Sequence, residues 1–528
     1  MTELRRKFRR SIFHPLVYGC VTGVICGAAI ALFTVCARIA CTFSFELYNS
    51  VDGPLAVVCI ALLALLCCLL TAVVQTLVPG ARGSGIPLAE GCARGMLRVK
   101  WLRTAAALIA GSMLSFLAGA PLGSEGPSVG MGGLIGEGVG KVMKKPIEFR
   151  RYLITGGASA GLAAAFNAPL MGICLAFEET HRKFSPDIFA ATLSTVATAV
   201  LTSQAMFYGF GQIAYLKAIG VAAGAASLGF LHQSPAVGLD FVYLAVAAIA
   251  CGIVCAAVGV AFNRAIFALG KLFSKIKSKT VKLLPAFMLS AAVGLCFPLA
   301  AGSGEATLSH TSTNTALGIL CALLVLRFVT TALMSGSGAT GGLFLPMIAI
   351  GGLVGTLAAK ASTACGLSDA YAANITVLCI CAFFAATVRA PITAIVMSVE
   401  LTASFANLLP ALIAVSVAML LSHVAKTDAL YENMLGGLMQ SEVAERRTVT
   451  LVGTVTADSP IAFKRLNNIL LPYNSVVTDL KRGSAEIVPD GEIKLEPNDK
   501  IMIRAENVDC DYFFSQVKEY IDVSDETE

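Results

Sequence analysis

Apolar residues recur in long runs separated by short polar or glycine-rich breaks, from residue 16 to about residue 438. The runs fall near 16–33, 54–78, 104–117, 151–177, 188–207, 241–269, 283–300 and 316–334, and more follow. About 20 apolar residues in a helix cross the hydrocarbon of a bilayer, so the pattern predicts an all-α polytopic membrane protein. Several runs are too short, or are broken by Gly or Pro, and these predict interrupted helices. Backbone that is not helical at membrane depth persists only where it is buried in protein or lines a wet cavity, so the interruptions are where function is expected.

The interruptions repeat. Gly83-Ser84-Gly85 returns as Gly302-Ser303-Gly304, and Gly123, Pro127, Gly132-Gly133-Leu134 and Gly136 return as Gly342, Pro346, Gly351-Gly352-Leu353 and Gly355, all 219 residues later. Ala168-Pro169, Ile173, Glu178 and Thr180 return as Ala390-Pro391, Ile395, Glu400 and Thr402, 222 residues later. Three matches in one order imply two copies of one membrane unit, with inverted topology if an odd number of spans separates them. The reading divides the chain into a basic N-terminus at 1–14, a first repeat at 15–207, a connection at 208–238 and a second repeat at 239–440.

Composition narrows the class further. Hydrophobic residues make up 56% and charged residues only 14% of the 528. That excludes a disordered chain, a nucleic-acid-binding domain and a disulfide-stapled secreted scaffold. The 17 Cys lie mostly inside apolar runs and form no CxxC pair, so a thiol metal site is not expected. Arg5, Arg6, Lys7, Arg9 and Arg10 precede the first run, which places the N-terminus in the cytoplasm by the positive-inside rule; the apolar stretch from Leu16 to about Phe33 is long enough to span and no small-residue cleavage site follows it, which argues for a retained span rather than a cleaved leader.

Chemistry concentrates at helix starts. Ser84-Gly85-Ile86-Pro87 sets a capping hydroxyl ahead of a proline, with glycines that admit close backbone approach. Gly123-Ser124-Glu125-Gly126-Pro127 and Gly341-Gly342-Leu343-Phe344-Leu345-Pro346 repeat the design. Helix N-termini present unpaired N–H groups and partial positive charge, so several that converge make an anion site without a full cation. A tight turn between membrane helices would explain any one of them alone. Glu125 could itself occupy such a site when ionised and leave it when protonated, a gate worked by protons. Its counterpart in the second repeat is Phe344, so the scaffold does not demand an acid there. Glu178 is matched by Glu400 and suits the framework, whereas Glu179 is matched by Leu401 and is the candidate second proton group. His14, His181, His232, His310 and His423 lack ligand-like spacing, and no metal or cofactor is implied.

These motifs, with the run from Gly161 to Pro169, resemble the CLC family of chloride channels and chloride/proton antiporters. The resemblance implies the fold: an inverted repeat of tilted and broken helices, a homodimer with one pore per subunit, and both termini cytoplasmic. It implies that Ser84 and Tyr431 donate hydroxyls to a central chloride, joined by the N–H groups of Leu343 and Phe344. Glu125 would be the external gating glutamate and Glu179 the internal proton glutamate. Family members commonly carry a basic residue before the gating glutamate; Ser124 stands there, so a vestibule less attractive to anions is expected.

Beyond about residue 441 charges become frequent, and Glu442, Glu445, Arg446 and Arg447 open a small α+β region. Strands are expected near 448–455, 475–480, 486–488 and 500–504, and a helix after Asp458-Ser459-Pro460. Residues 448–510 resemble a TrkA-C (RCK C-terminal) domain, with 511–528 as a tail. That resemblance implies a dimerising regulatory module on a prokaryotic plasma-membrane transporter, with a small ligand such as a cyclic dinucleotide; support of assembly alone is the other reading. The expected activity is secondary active exchange of chloride, with bromide or nitrate also accepted, against protons. A passive chloride channel of the same fold and a fluoride/proton antiporter are the alternatives, and an enzyme is disfavoured because no nucleophile or catalytic pair accompanies the acids.

Overall fold

The computed structural model describes residues 2–51, 53–180, 185–213, 234, 238–442 and 447–527, with side chains omitted at 2–12, 440–442, 507 and 525–527. Most of the 208–238 connection lies outside the described residues, as do His181, His232, Glu445, Arg446 and the side chains of the basic cluster at 5–10.

The first repeat contains α1 (Thr2–Asn49), α2 (Pro54–Leu77), α3 (Gly85–Ala93), α4 (Trp101–Leu117), α5 (Glu125–Val142), α6 (Ile147–Phe166), α7 (Pro169–Leu175) and α8 (Pro186–Phe210). The second contains α9 (Leu239–Ser274), α10 (Lys279–Cys296), α11 (Glu305–His310), α12 (Leu317–Ser337), α13 (Phe344–Ala364), α14 (Ala372–Val388), α15 (Pro391–Glu400), α16 (Leu408–Val424) and α17 (Leu430–Glu442). Among the described residues eight helices are long and apolar enough to cross a membrane. Others, such as α3 with 9 residues and α7 with 7, are too short, as their flanking Gly and Pro predict.

Small residues let these helices approach closely. A Cβ on Gly132 would stand 2.0 Å from the Gly157 carbonyl oxygen, and one on Gly157 2.1 Å from that of Gly132, so α5 and α6 touch backbone to backbone. Gly351 and Gly355 do the same for α13 against α14. Gly19, Gly23 and Gly27 lay α1 on α8, and this stripe helps carry α1 as one helix well past residue 33.

The two repeats hold each other through reciprocal contacts. Gly83 N–H donates to Gly338 O at 3.3 Å, and Gly302 N–H to Gly119 O at 2.9 Å; each residue of one pair is 219 positions from its counterpart in the other. Glu400 accepts the N–H groups of Leu170 and Met171 at 2.8 and 2.7 Å, and Glu178 accepts those of Ile392 and Thr393, both at 2.7 Å, a set related by the offset of 222. Such pairs are what a two-fold relation between halves produces.

The tail is a five-stranded antiparallel sheet, β1 (Arg447–Thr454), β2 (Val476–Arg482), β3 (Ala485–Ile487), β4 (Lys500–Val508) and β5 (Asp522–Thr527), in the order β3-β2-β4-β1-β5. The sheet continues beyond residue 510, because β5 pairs with β1 and α18 (Cys510–Val517) lies between β4 and β5. No α-helix follows Asp458-Ser459-Pro460. The N–H groups of Phe463, Leu466 and Asn467 donate instead to the carbonyls of Leu495, Ile493 and Gly491, so pairing across the domain overrides the local capping signal.

The tail docks on the membrane unit. Arg151, only 1% exposed, donates to Leu470 O and Gln516 Oε1, both at 2.8 Å; Lys464 pairs with Glu148 at 2.7 Å; and Tyr473 N–H donates to Arg94 O at 3.1 Å.

Candidate functional site

Three helix starts meet at one point. Ser84 caps α3, its Oγ accepting the Ile86 N–H at 3.5 Å. A Cβ on Gly85 would lie 2.2 Å from Gly126 O, and one on Gly126 would lie 2.6 Å from both Ser84 Oγ and Gly342 Cα, so only glycine permits the contact. Gly123 and Gly342 exchange two hydrogen bonds of 2.8 and 2.7 Å, which locks the start of α5 to that of α13. Pro87, Pro127 and Pro346 are each the third residue of their helix. An N–H there has no intrahelical partner, so proline costs the helix nothing and the earlier N–H groups stay available to a ligand.

The predicted residues gather around this junction. Ser84, Glu125, Glu179, Leu343, Phe344 and Tyr431 are all buried, none more than 4% exposed. Leu343 and Phe344 open α13, and the Phe344 ring sits 5.0 Å from that of Phe166 and 4.7 Å from that of Phe384. Tyr431 lies in the first turn of α17, and its hydroxyl is buried without a hydrogen-bond partner among the described residues. A buried hydroxyl left unpaired costs about 1–3 kcal/mol, which favours an acceptor such as an anion beside it.

The Glu125 carboxylate folds back over Gly123, where a Cβ would meet Oε2 at 2.1 Å. Its Oε1 accepts from Ser124 Oγ at 3.2 Å, and its Oε2 is buried without a hydrogen-bond partner among the described residues. The first residue of a helix is where negative charge is best tolerated. Glu179 sits in a π-helical turn, Ala176–Thr180, that extends α7. A π-turn shifts the face on which side chains fall and is frequent at functional sites. Adjacent Glu178 turns the other way, to α15, and also accepts the Thr393 hydroxyl at 2.7 Å.

A vestibule of about 270 Å³ leads to Glu125 and Ser124. Arg38, from α1, lines it and faces Glu305 at 3.7 Å, with His310 nearby. The cation that Ser124 does not supply is thus present from another helix, partly neutralised. Arg38 gave no sequence signal, because nothing in the chain marks α1 as a neighbour of the 302–305 turn. Arg327 was detectable as a lone cation inside the run at 316–334. Fully buried, it donates to the carbonyls of Gly302, Ala301 and Leu299 at 2.8, 2.7 and 3.2 Å and fixes the vestibule floor.

The profile of the family described as voltage gated chloride channel matches residues 66–423, which hold all three helix starts. The chain belongs to the CLC family. It is similar to the H(+)/Cl(-) exchange transporter ClcA of Cronobacter sakazakii, 34% identical over 71% of this chain and 78% of that one. A ClcA of Citrobacter koseri is 32% identical over 81% of this chain and 89% of its own length. The crystal structure of a slow cyanobacterial Cl-/H+ antiporter superposes with a TM-score of 0.71 at 29% identity, covering 81% of this chain and 98% of that one. The CLC fold therefore accounts for the membrane unit, and the paired contacts described above are those of its repeat.

Proposed function

We propose that this chain is a secondary active antiporter that exchanges chloride for protons. The observation that carries the reading is the Glu125 carboxylate, buried at the first residue of α5 within the junction of helix starts and holding one oxygen without a hydrogen-bond partner among the described residues. The ClcA names and the antiporter that superposes on the chain support the same activity. Chloride is held by the Ser84 and Tyr431 hydroxyls and the N–H groups of Leu343 and Phe344. Glu125, when ionised, competes for the same positive field. Protonation releases it to the vestibule and lets the anion pass, while Glu179 delivers the proton from the tail side. The protein is a transporter and not an enzyme, in the plasma membrane with both termini in the cytoplasm.

The tail acts as a TrkA-C-like module. The chain works as a homodimer, as the family resemblance implies. Light scattering of the purified protein tests the dimer.

Proteoliposomes carrying a chloride gradient test the activity, with chloride and pH recorded together. Antiport predicts that chloride flow drives protons against their own gradient. Chloride movement without proton movement would make the chain a channel.

A further inference from the structure

A second cavity, of about 940 Å³, opens where the tail meets the membrane unit, on the side away from the vestibule's Glu125. Its wall carries Arg98, Lys100, Arg103, Lys141, Arg150 and Arg151, and one acid, Glu137, a net of +5 from six cations less one anion. These cations come from three separate places: the α3–α4 connection with the first turn of α4, the end of α5, and the start of α6. Glu137 is already engaged by Lys141 at 2.8 Å and Arg150 at 3.7 Å. Arg98 and Lys100 have no ion pair among the described residues, and the Nε atom of Arg151 is buried without a hydrogen-bond partner there, while the Arg150 Nε is the atom that faces Glu137. Trp101 and Tyr512 add aromatic faces, and Gln516 joins Tyr512 in closing the cavity from the tail.

A row of cations spread along the membrane surface would follow from the positive-inside rule alone. Cations drawn from three places into one concave space, with Arg150 half-buried, Arg151 buried and too little acid to neutralise them, do not. Like charges so confined repel one another unless an anion joins them, and guanidinium forks match phosphate oxygens in geometry.

We propose that this cavity binds a phosphate-bearing anion, either a soluble phosphate compound or the headgroup of an acidic lipid, and that the bound anion bridges the tail to the membrane unit. The site is separate from the chloride path, and its test does not depend on transport.

The chain has a single Trp, Trp101, in the wall of the cavity, so its fluorescence reports occupancy directly. The full-length protein is placed in nanodiscs of phosphatidylcholine and titrated with pyrophosphate; a parallel series replaces 30% of the lipid, on the order of a natural acidic content, with phosphatidylglycerol. A saturable change with pyrophosphate in neutral lipid identifies a soluble ligand. A change that needs phosphatidylglycerol identifies a headgroup. In either case the Arg98→Gln, Lys100→Gln double variant, which alters two exposed side chains and leaves Glu137 paired, weakens the response at least about tenfold, as expected for loss of two phosphate contacts. No saturable change in either series, or an equal change in the variant, overturns the proposal. Chloride binding measured on the same samples verifies that the protein is folded.

Discussion

Glu178 and Glu179 differ by one position, and the proposed mechanism gives them different work. Glu178 stabilises the start of α15 through two N–H groups, as Glu400 does for α7. Hydrogen bonds to a charged group contribute about 1.5–3 kcal/mol each, so Glu178→Ala and Glu400→Ala are each expected to lose about 2 kcal/mol or more, read as a lower unfolding midpoint in detergent. Glu179→Gln is expected to keep that midpoint and chloride transport while proton flux falls to background. The reverse pattern would exchange the two roles. Glu125→Ala is expected to pass chloride with no proton coupling, and a variant that still pumps protons uphill would remove Glu125 from the mechanism. The framework role of Glu178 was legible in the sequence because Glu400 repeats it. Arg38 was not, since a single-copy residue on a distant helix leaves no periodic trace. Arg38→Ala is expected to slow chloride uptake at low chloride more than at saturation, because it alters the field at the entrance and not the site.

Helices that interrupt one another at glycine were readable because both repeats need the same residue wherever backbones touch. Gly132→Ala would force a methyl group to 2.0 Å from a carbonyl oxygen that has no room to retreat, whereas Gly318 at the start of α12 has nothing within 4 Å. Overpacking of this kind costs about 1–3 kcal/mol, so Gly132→Ala should lower the thermal midpoint and Gly318→Ala should leave it unchanged. An equal effect at both sites would argue against the α5–α6 contact. The tail was harder to read at this scale. Its strands β1 to β4 announced themselves by alternation and turn residues, but Asp458-Ser459-Pro460 offered a helix that long-range pairing with 491–495 took away, and α18 is only eight residues long.

The whole molecule joins its two parts through α6 and the end of α3. Ser84 at one end belongs to the junction of helix starts, and Arg94 just past the other end accepts the Tyr473 N–H and donates to Asn474 Oδ1 at 3.2 Å. Nine helical residues span about 14 Å, so a shift of the tail reaches the junction through one short rigid element. Lys464→Ala removes the pairing partner of the buried Glu148 and is expected to raise hydrogen exchange at the Tyr473 amide by about tenfold, matching loss of one charge-assisted bond. Unchanged exchange would mean that the tail is held elsewhere. None of this interface was visible in the sequence, because its cations are single residues from scattered segments that only the fold assembles.

The central claim is that backbone amides at the helix starts hold a halide in the space for which Glu125 competes. Crystals of the protein grown in bromide test it by anomalous scattering. A peak is expected bounded by Ser84 Oγ, Tyr431 Oη and the N–H groups of Leu343 and Phe344, with a further peak at the carboxylate position in Glu125→Gln. Bromide bound away from these groups, or a Glu125→Gln crystal with the same peaks as the parent, would contradict it.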